Sequence, residues 1–196
     1  VVNWHTLEKN SVPRVIYGMN PDQLNQTVTG SNEVIVDHIW NTVKLTGLQP
    51  DTEYFYQCIS GEYKSEVSAF RTYKSGKGHK VRLILASDSQ DNDAVNRFTA
   101  LLKKKYGDDL HNHINIMCHM GDAVSGGGVI EQYENRYYRP FSPLTRSIPV
   151  AMVSGNHDVE HEIFYKYAKY DDFANGVDGV NQEAFYTLKV NGVQLF

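Results

Sequence analysis

Two aspartates, an asparagine and a histidine stand just beyond the ends of three short apolar runs. Residues 81–86 lead to Asp88 and Gln90, residues 114–120 lead into Gly121-Asp122, and residues 148–153 lead to Gly155-Asn156-His157-Asp158. In an open parallel sheet, ligands bind in the crevice outside the carboxyl ends of the strands. Two carboxylates, an amide oxygen and an imidazole delivered there suit hard or borderline divalent cations such as Mn, Zn or Fe. No thiolate belongs to the set, which argues against a structural zinc site. The glycines ahead of Asp122 and Asn156 fit tight turns whose backbone passes close to the site. A single Asp or Asn at a loop end is ordinarily solvated surface. Three consecutive strands ending this way call for a shared purpose.

The segments between these runs supply the elements that must position them. Asn92 and Asp93 offer an N-cap, and Ala94, Val95, Phe98, Leu101 and Leu102 follow at helical spacing. Lys103, Lys104 and Lys105 suit the negative end of the helix dipole, and Gly107 its C-terminal cap. A second helix is predicted over residues 129–139, with Ile130, Tyr133 and Tyr137 on one face and Pro140 as its stop; a third covers residues 161–173. Strand, helix, strand, helix, strand with apolar strands predicts a parallel sheet covered on both faces.

The chain ahead of this unit has a different rhythm. Residues 1–6, 14–19, 33–45, 53–59 and 65–72 are rich in Val, Ile, Thr, Tyr and Phe, with Gly, Pro, Asn and Asp between them. Short strands at that spacing predict a β-sandwich. In Leu48-Gln49-Pro50-Asp51-Thr52-Glu53-Tyr54 the tyrosine stands where a fibronectin type III domain places the Tyr that hydrogen-bonds back to the preceding loop. Trp4 is the expected core tryptophan, and the sandwich is expected to lack its first strand. The predicted domains are a sandwich over residues 1–74, a polar linker over 75–80, and an α/β unit over 81–196. Residues 184–190 and 193–196 flank Asn191-Gly192, a strong hairpin signal. Its short second arm suggests that the α/β domain is cut short at its C-terminus, since a boundary there would leave a raw sheet edge.

Composition narrows the class. The 196 residues are 41% hydrophobic and 21% charged, with formal charge −4 and no basic run longer than Lys103-Lys104-Lys105. No nucleic-acid partner and no membrane insertion are expected. Cys58 and Cys118 fall in different domains and are expected as free thiols in apolar strands.

In this order and spacing, Asp88-Ser89-Gln90, Gly121-Asp122 and Gly155-Asn156-His157-Asp158 resemble the first three motifs of the calcineurin-like metallophosphoesterases. With the sandwich in front, the arrangement is similar to purple acid phosphatases and their bacterial relatives. The segments Val2-Asn3-Trp4-His5-Thr6, Val15-Ile16-Tyr17-Gly18 and Val43-Lys44-Leu45-Thr46-Gly47-Leu48-Gln49-Pro50 resemble that family's N-terminal domain. The resemblance implies an α/β/β/α catalytic domain with two metal ions (Fe, Zn or Mn), acting on phosphate esters outside the cell, in the periplasm or at the cell surface. It implies that Asp88 binds the first metal, Asp122 bridges both and Asn156 binds the second. His157 would meet the substrate phosphate as electrostatic stabiliser or general acid, and Asp158 would orient that imidazole. Two cations about 3.5–4 Å apart would hold a hydroxide and stabilise both the attacking and leaving oxygens at phosphorus.

The sequence also departs from the pattern. Purple members carry a Tyr three residues after the bridging Asp, where this chain has Ser125. Many relatives place a His two residues after the first Asp, where this chain has Gln90, either a weak ligand or the holder of a metal-bound water. Histidines from two later motifs are absent; His161 is the only later one, expected at the pocket rim or in solvent. The remaining donors are therefore expected from the C-terminal half of the domain, in the same precursor or a second chain. A phosphodiesterase of the same fold, or a surface binding protein on a degenerate phosphoesterase scaffold, are the alternatives. Gly126-Gly127-Gly128 reads as a flexible loop over the site, His119 as a hydrogen-bonded core residue, and His111 and His113 as surface.

Overall fold

The computed structural model describes residues 1–90, 92–159, 161–168 and 186–195. It divides into two compact units, Val1–Thr72 and Tyr73–Phe196.

The first unit is a sandwich of two antiparallel sheets. One has the order β1 (Val2–Thr6), β5 (His38–Val43), β4 (Ser31–Ile35); the other has the order β3 (Gln26–Thr29), β2 (Arg14–Gly18), β6 (Glu53–Ser60), β7 (Tyr63–Lys64), and β8 (Ser68–Arg71) also pairs with β6. Alternation sets the core: Val15 and Tyr17 on β2 and Tyr54, Tyr56 and Cys58 on β6 point inward against Val43 of β5. Burial pushes the Cys58 thiol up to about 12, as befits an inert core cysteine. The Tyr54 hydroxyl accepts the backbone N–H of Gln49 at 3.0 Å, the loop-to-strand bond that the sequence predicts.

Two expectations fail here. Residues 33–45 are a hairpin, not one strand, because the chain turns at Val36-Asp37 between paired Ile35 and His38. Val36 takes φ +58 at that turn, a conformation a β-branched residue seldom adopts, so no turn residue announces it. Trp4 packs only partly against the core and donates its indole N–H to Ser60 Oγ at 2.9 Å. The more deeply buried tryptophan is Trp40, 6% exposed.

In the second unit, parallel strands run in the order β11 (Val150–Met152), β10 (Ile116–His119), β9 (Leu83–Ala86). Helix α1 (Asn92–Tyr106) ends as predicted: Gly107 takes φ +65 and its N–H returns to Lys103 O at 2.8 Å. Its inward face is Val95 and Thr99, while Leu101, expected in the stripe, is exposed. The short α2 (Leu110–His113) tucks His111 inside, 5% exposed, against the expectation of a surface histidine. One turn of helix before β10 turns position 111 inward along with Leu110.

Pro140 does not stop the next helix. Following α3 (Ile130–Gln132), residues Tyr133–Tyr138 form a π-helix that passes directly into α4 (Arg139–Thr145). The wider turn lets Arg139 N–H reach back to Glu134 O, and Pro140, which has no N–H to offer, follows at the first turn of α4. Ile130, Tyr133 and Tyr137 are buried on one face, as their spacing predicts.

The helix expected over 161–173 is described as α5 (Ile163–Tyr167); its last predicted residues lie outside those described, as do the ends of the predicted tail strands at 184, 185 and 196. The tail forms the hairpin β12 (Leu188–Val190) and β13 (Val193–Leu195), turning at Asn191 (φ +49) and Gly192 (φ +80). Tyr186, Leu188, Val190 and Leu195 pack on Ile116, Cys118 and Ala151, so the hairpin covers one face of the parallel sheet. Residues 75–80 run beside this turn: Lys74 N–H donates to Asn191 Oδ1 at 2.7 Å, and a Cβ on Gly192 would lie 2.2 Å from Gly76 O.

His5 of the sandwich packs edge-on to Trp40 at 4.7 Å and beside His38 at 5.8 Å. Burial, with His38 adding to it, pushes the His5 imidazole from 6.5 down to about 4. Folding then favours the neutral ring, and the stability tied to it is present above 6.5 and lost as pH falls from 6.5 to about 4. Urea unfolding of the chain followed by tryptophan fluorescence should show the midpoint dropping across that window, with a shallower drop in His5→Phe. An identical pH slope in the two proteins would contradict this assignment.

Candidate functional site

Asp88 and Asp122 follow adjacent parallel strands and share an unusual backbone. Asp88 has φ +54 and Asp122 φ +52, left-handed conformations that a non-glycine residue seldom adopts, though Asp tolerates them better than most. The two corners are bonded together: Asp88 N–H donates to Gly121 O and Ser89 N–H to Asp122 O, both at 3.1 Å.

The loop after β11 closes on the same corner through two glycines. Gly121 has φ +99, and a Cβ there would meet Gly155 N at 2.7 Å; a Cβ on Gly155 would fall 2.0 Å from Asp122 Oδ1. Neither position tolerates a side chain, so the Asp122 carboxylate lies directly beneath the 155–158 turn. There Oδ1 accepts the backbone N–H of His157 at 3.2 Å.

Asp158, 0% exposed, fastens this junction. Its carboxylate accepts Gly155 N–H at 2.9 Å and Ala123 N–H at 3.1 Å, one from each loop. Burial outweighs these bonds and pushes its carboxyl above the ordinary range, with the neighbouring Asp122 charge adding to the rise. Asp158 therefore does not orient the imidazole as expected, because its oxygens are turned to backbone amides. The His157 ring is set instead by Ser125: Nδ1 lies 3.0 Å from the Ser125 carbonyl. A carbonyl can only accept, so Nδ1 carries the proton and Nε2 is the ring atom left for other partners.

His119 is the core histidine that the sequence suggests. Fully buried, it makes edge contacts with Tyr137 and Phe141, and its Nε2 lies 3.0 Å from Ser89 Oγ. Ser89 donates its hydroxyl to Ala123 O at 3.1 Å, so it accepts from His119 Nε2–H. Burial pushes the ring down to about 4, only partly offset by the nearby Asp88 and Asp122 carboxylates. A neutral imidazole thus sits under both acids and braces the turn between Asp88 and Gln90.

The other predicted residues are less engaged. Asn156 is exposed at the tip of the 155–158 turn, Gln90 is half-buried, and His161 is exposed with its ring against Gly128, where a Cβ would come within 2.3 Å. The triple glycine is a packed loop, not a free flap: Gly127 N–H donates to His157 O at 3.0 Å, and a Cβ there would lie 2.5 Å from that oxygen. Among the described residues, no group of three or more His, Cys, Asp or Glu side chains is placed to hold a metal ion. The two carboxylates on left-handed corners are hard-cation donors by chemistry, but they would supply only part of a coordination shell.

Residues 1–72 match the family model for the purple acid phosphatase N-terminal domain, and residues 81–194 match that for calcineurin-like phosphoesterase. No curated protein matches the chain. Among solved structures, a purple acid phosphatase isolated from yellow lupin (Lupinus luteus) seeds is similar with a TM-score of 0.57 and 16% identity, covering 75% of this chain and 30% of that one. The structure of PhoD gives a TM-score of 0.49 at 15% identity, covering 79% of this chain and 34% of that one. At such identities the likeness to the lupin enzyme concerns the fold, and this chain spans about a third of either protein.

Gly155→Ala should force Asp122 out from beneath the turn. A loss of about 1–3 kcal/mol in unfolding free energy is expected from overpacking, together with weaker binding of added Mn by calorimetry. A variant with parent stability and parent binding would show that Asp122 is not held there.

Proposed function

The chain belongs to the calcineurin-like phosphoesterase family, and from this we propose that it forms the first part of a binuclear, metal-dependent phosphoesterase hydrolysing phosphate monoesters. The observation that carries the reading is the bond from His157 N–H to the Asp122 carboxylate, which joins the turn bearing Asn156 to the acid suited to bridging two cations. In this reading Asp88 binds one metal, Asp122 both and Asn156 the other, with Gln90 a weak ligand or the holder of a water. Fe, Zn or Mn fits the donor set. When bound, such ions supply Lewis acidity toward water and phosphoryl oxygens.

The chain's own residues do the rest. His157, its Nδ1 proton committed to Ser125, presents Nε2 to the phosphoryl or leaving-group oxygen, stabilising charge there or donating a proton when the ring is charged. Asp158 keeps the 155–158 turn against residue 123, and His119 keeps Ser89 in place between Asp88 and Gln90. The missing donors come from the C-terminal half of the catalytic domain, in the same precursor or in a second chain. Residues 1–74 form the accessory domain, 75–80 the connection and 81–196 the first part of the catalytic domain. Secretion, to the periplasm, the cell surface or the medium, suits this pairing of domains. No helix among the described residues is long and apolar enough to cross a membrane.

The complete protein, assayed with Mn, Zn or Fe, should hydrolyse p-nitrophenyl phosphate faster than bis(p-nitrophenyl) phosphate, and Asp122→Ala should reduce either rate to that of buffer. Faster turnover of the diester would make it a phosphodiesterase. No turnover with any of the three metals would turn the reading toward a scaffold.

A further inference from the structure

We propose that Gln132 and Arg136 are positioning residues for His157, acting through Ser125 to hold its imidazole in one tautomer and one orientation. Ser125 is exposed and is followed by three glycines, so its local sequence gives its carbonyl little reason to stay in place. It is held from the helix instead. Gln132 Oε1 accepts the N–H of Ser125 at 3.2 Å and of Gly126 at 3.1 Å. Arg136 Nη1 donates to Ser125 Oγ at 3.1 Å. Two side chains one helical turn apart thus grip the backbone and the hydroxyl of one residue, and that residue's carbonyl is what His157 Nδ1 meets at 3.0 Å.

The backbone around the grip is consistent with a built device. Val129 N–H bonds Gly126 O at 3.1 Å, and Gly127 N–H bonds His157 O at 3.0 Å, so the loop is tied both to the helix start and to the histidine's own residue. Gln132 closes α3, and Arg136 lies within the π-helix Tyr133–Tyr138. A π-turn changes the angular spacing of side chains along a helix, and such turns recur at functional sites. Arg136 is half-buried, and the partner its guanidinium meets is the Ser125 hydroxyl. Its guanidinium is committed to a neutral serine beside the candidate catalytic imidazole.

The tautomer can be read without any turnover. Imidazole nitrogen-15 shifts of the neutral His157 ring, assigned by their loss in His157→Ala, should report Nδ1–H in the parent chain. Gln132→Ala, Arg136→Ala and Ser125→Ala should each move the shifts toward a mixture with Nε2–H, and Gln132→Glu, which keeps an acceptor for both N–H groups, should restore the parent values. If Gln132→Ala fails to fold by circular dichroism, Arg136→Ala and Ser125→Ala carry the test. A parent ring with Nε2–H, or parent shifts in folded Arg136→Ala and Ser125→Ala, would overturn the proposal. A second arm rests on the phosphoesterase reading: in the complete protein these variants should lower kcat about 10-fold, as loss of an orienting partner does, with KM little changed. An inactive parent would count against that reading alone, since the nitrogen shifts stand independently of it. In an active parent, unaltered kcat in all three variants would overturn the positioning role.

Discussion

The site depends on one buried carboxylate facing two backbone amides. Asp158 accepts N–H groups from Gly155 and Ala123, residues of different loops, and so holds the turn after β11 against the corner after β10. An ionised or partly ionised carboxylate without solvent contact is costly unless its lone pairs are filled. Here they are filled only when the two loops meet, so the cost of burial becomes a preference for one arrangement. The packing is tight enough that Gly121 and Gly155 touch with no room for a Cβ on either, and the Asp122 carboxylate occupies the space a side chain at 155 would need.

The other contacts extend this junction in two directions. Toward β9, Ser89 bonds the Asp122 and Ala123 carbonyls through its N–H and hydroxyl, and neutral His119 supports it from inside the sheet. Toward the helices, Ser125 links His157 to Gln132 and Arg136. Candidate ligands therefore stand on corners held by residues that would touch no ligand. Left-handed conformations at Asp88 and Asp122 are the local expense of this design, and they persist because several bonds over-determine each corner.

The interrupted helix shows how local rules are overridden. Pro140 marks a stop by propensity, yet the chain continues helical, since a wider turn just before it lets Arg139 N–H skip back to Glu134 O. Burial of Tyr133, Tyr137 and Phe141, each 2% exposed or less, rewards keeping one continuous apolar face. Val36 is the opposite case: a hairpin forms at a residue with no turn preference because the paired strands on either side require it.

Much of this was legible in residue order alone. Alternating apolar positions indicated the sandwich and the inward tyrosines; the Leu-Pro-Thr-Tyr spacing indicated the Tyr54 corner; strand-ending acids and the Gly-Asn-His-Asp run supplied the candidate ligands, because these signals are local and sit at fixed places in the elements that carry them. What the order of residues could not contain was who supports whom. The family resemblance implied that Asp158 partners the His157 ring, but the carboxylate instead accepts the amide of residue 123, 35 positions away. Ser125 served through its carbonyl, which every residue possesses and no residue type announces. Those roles were decided by the tertiary structure, since hydrogen bonds between loops depend on where the strands bring their ends, and that is a property of the packed sheet.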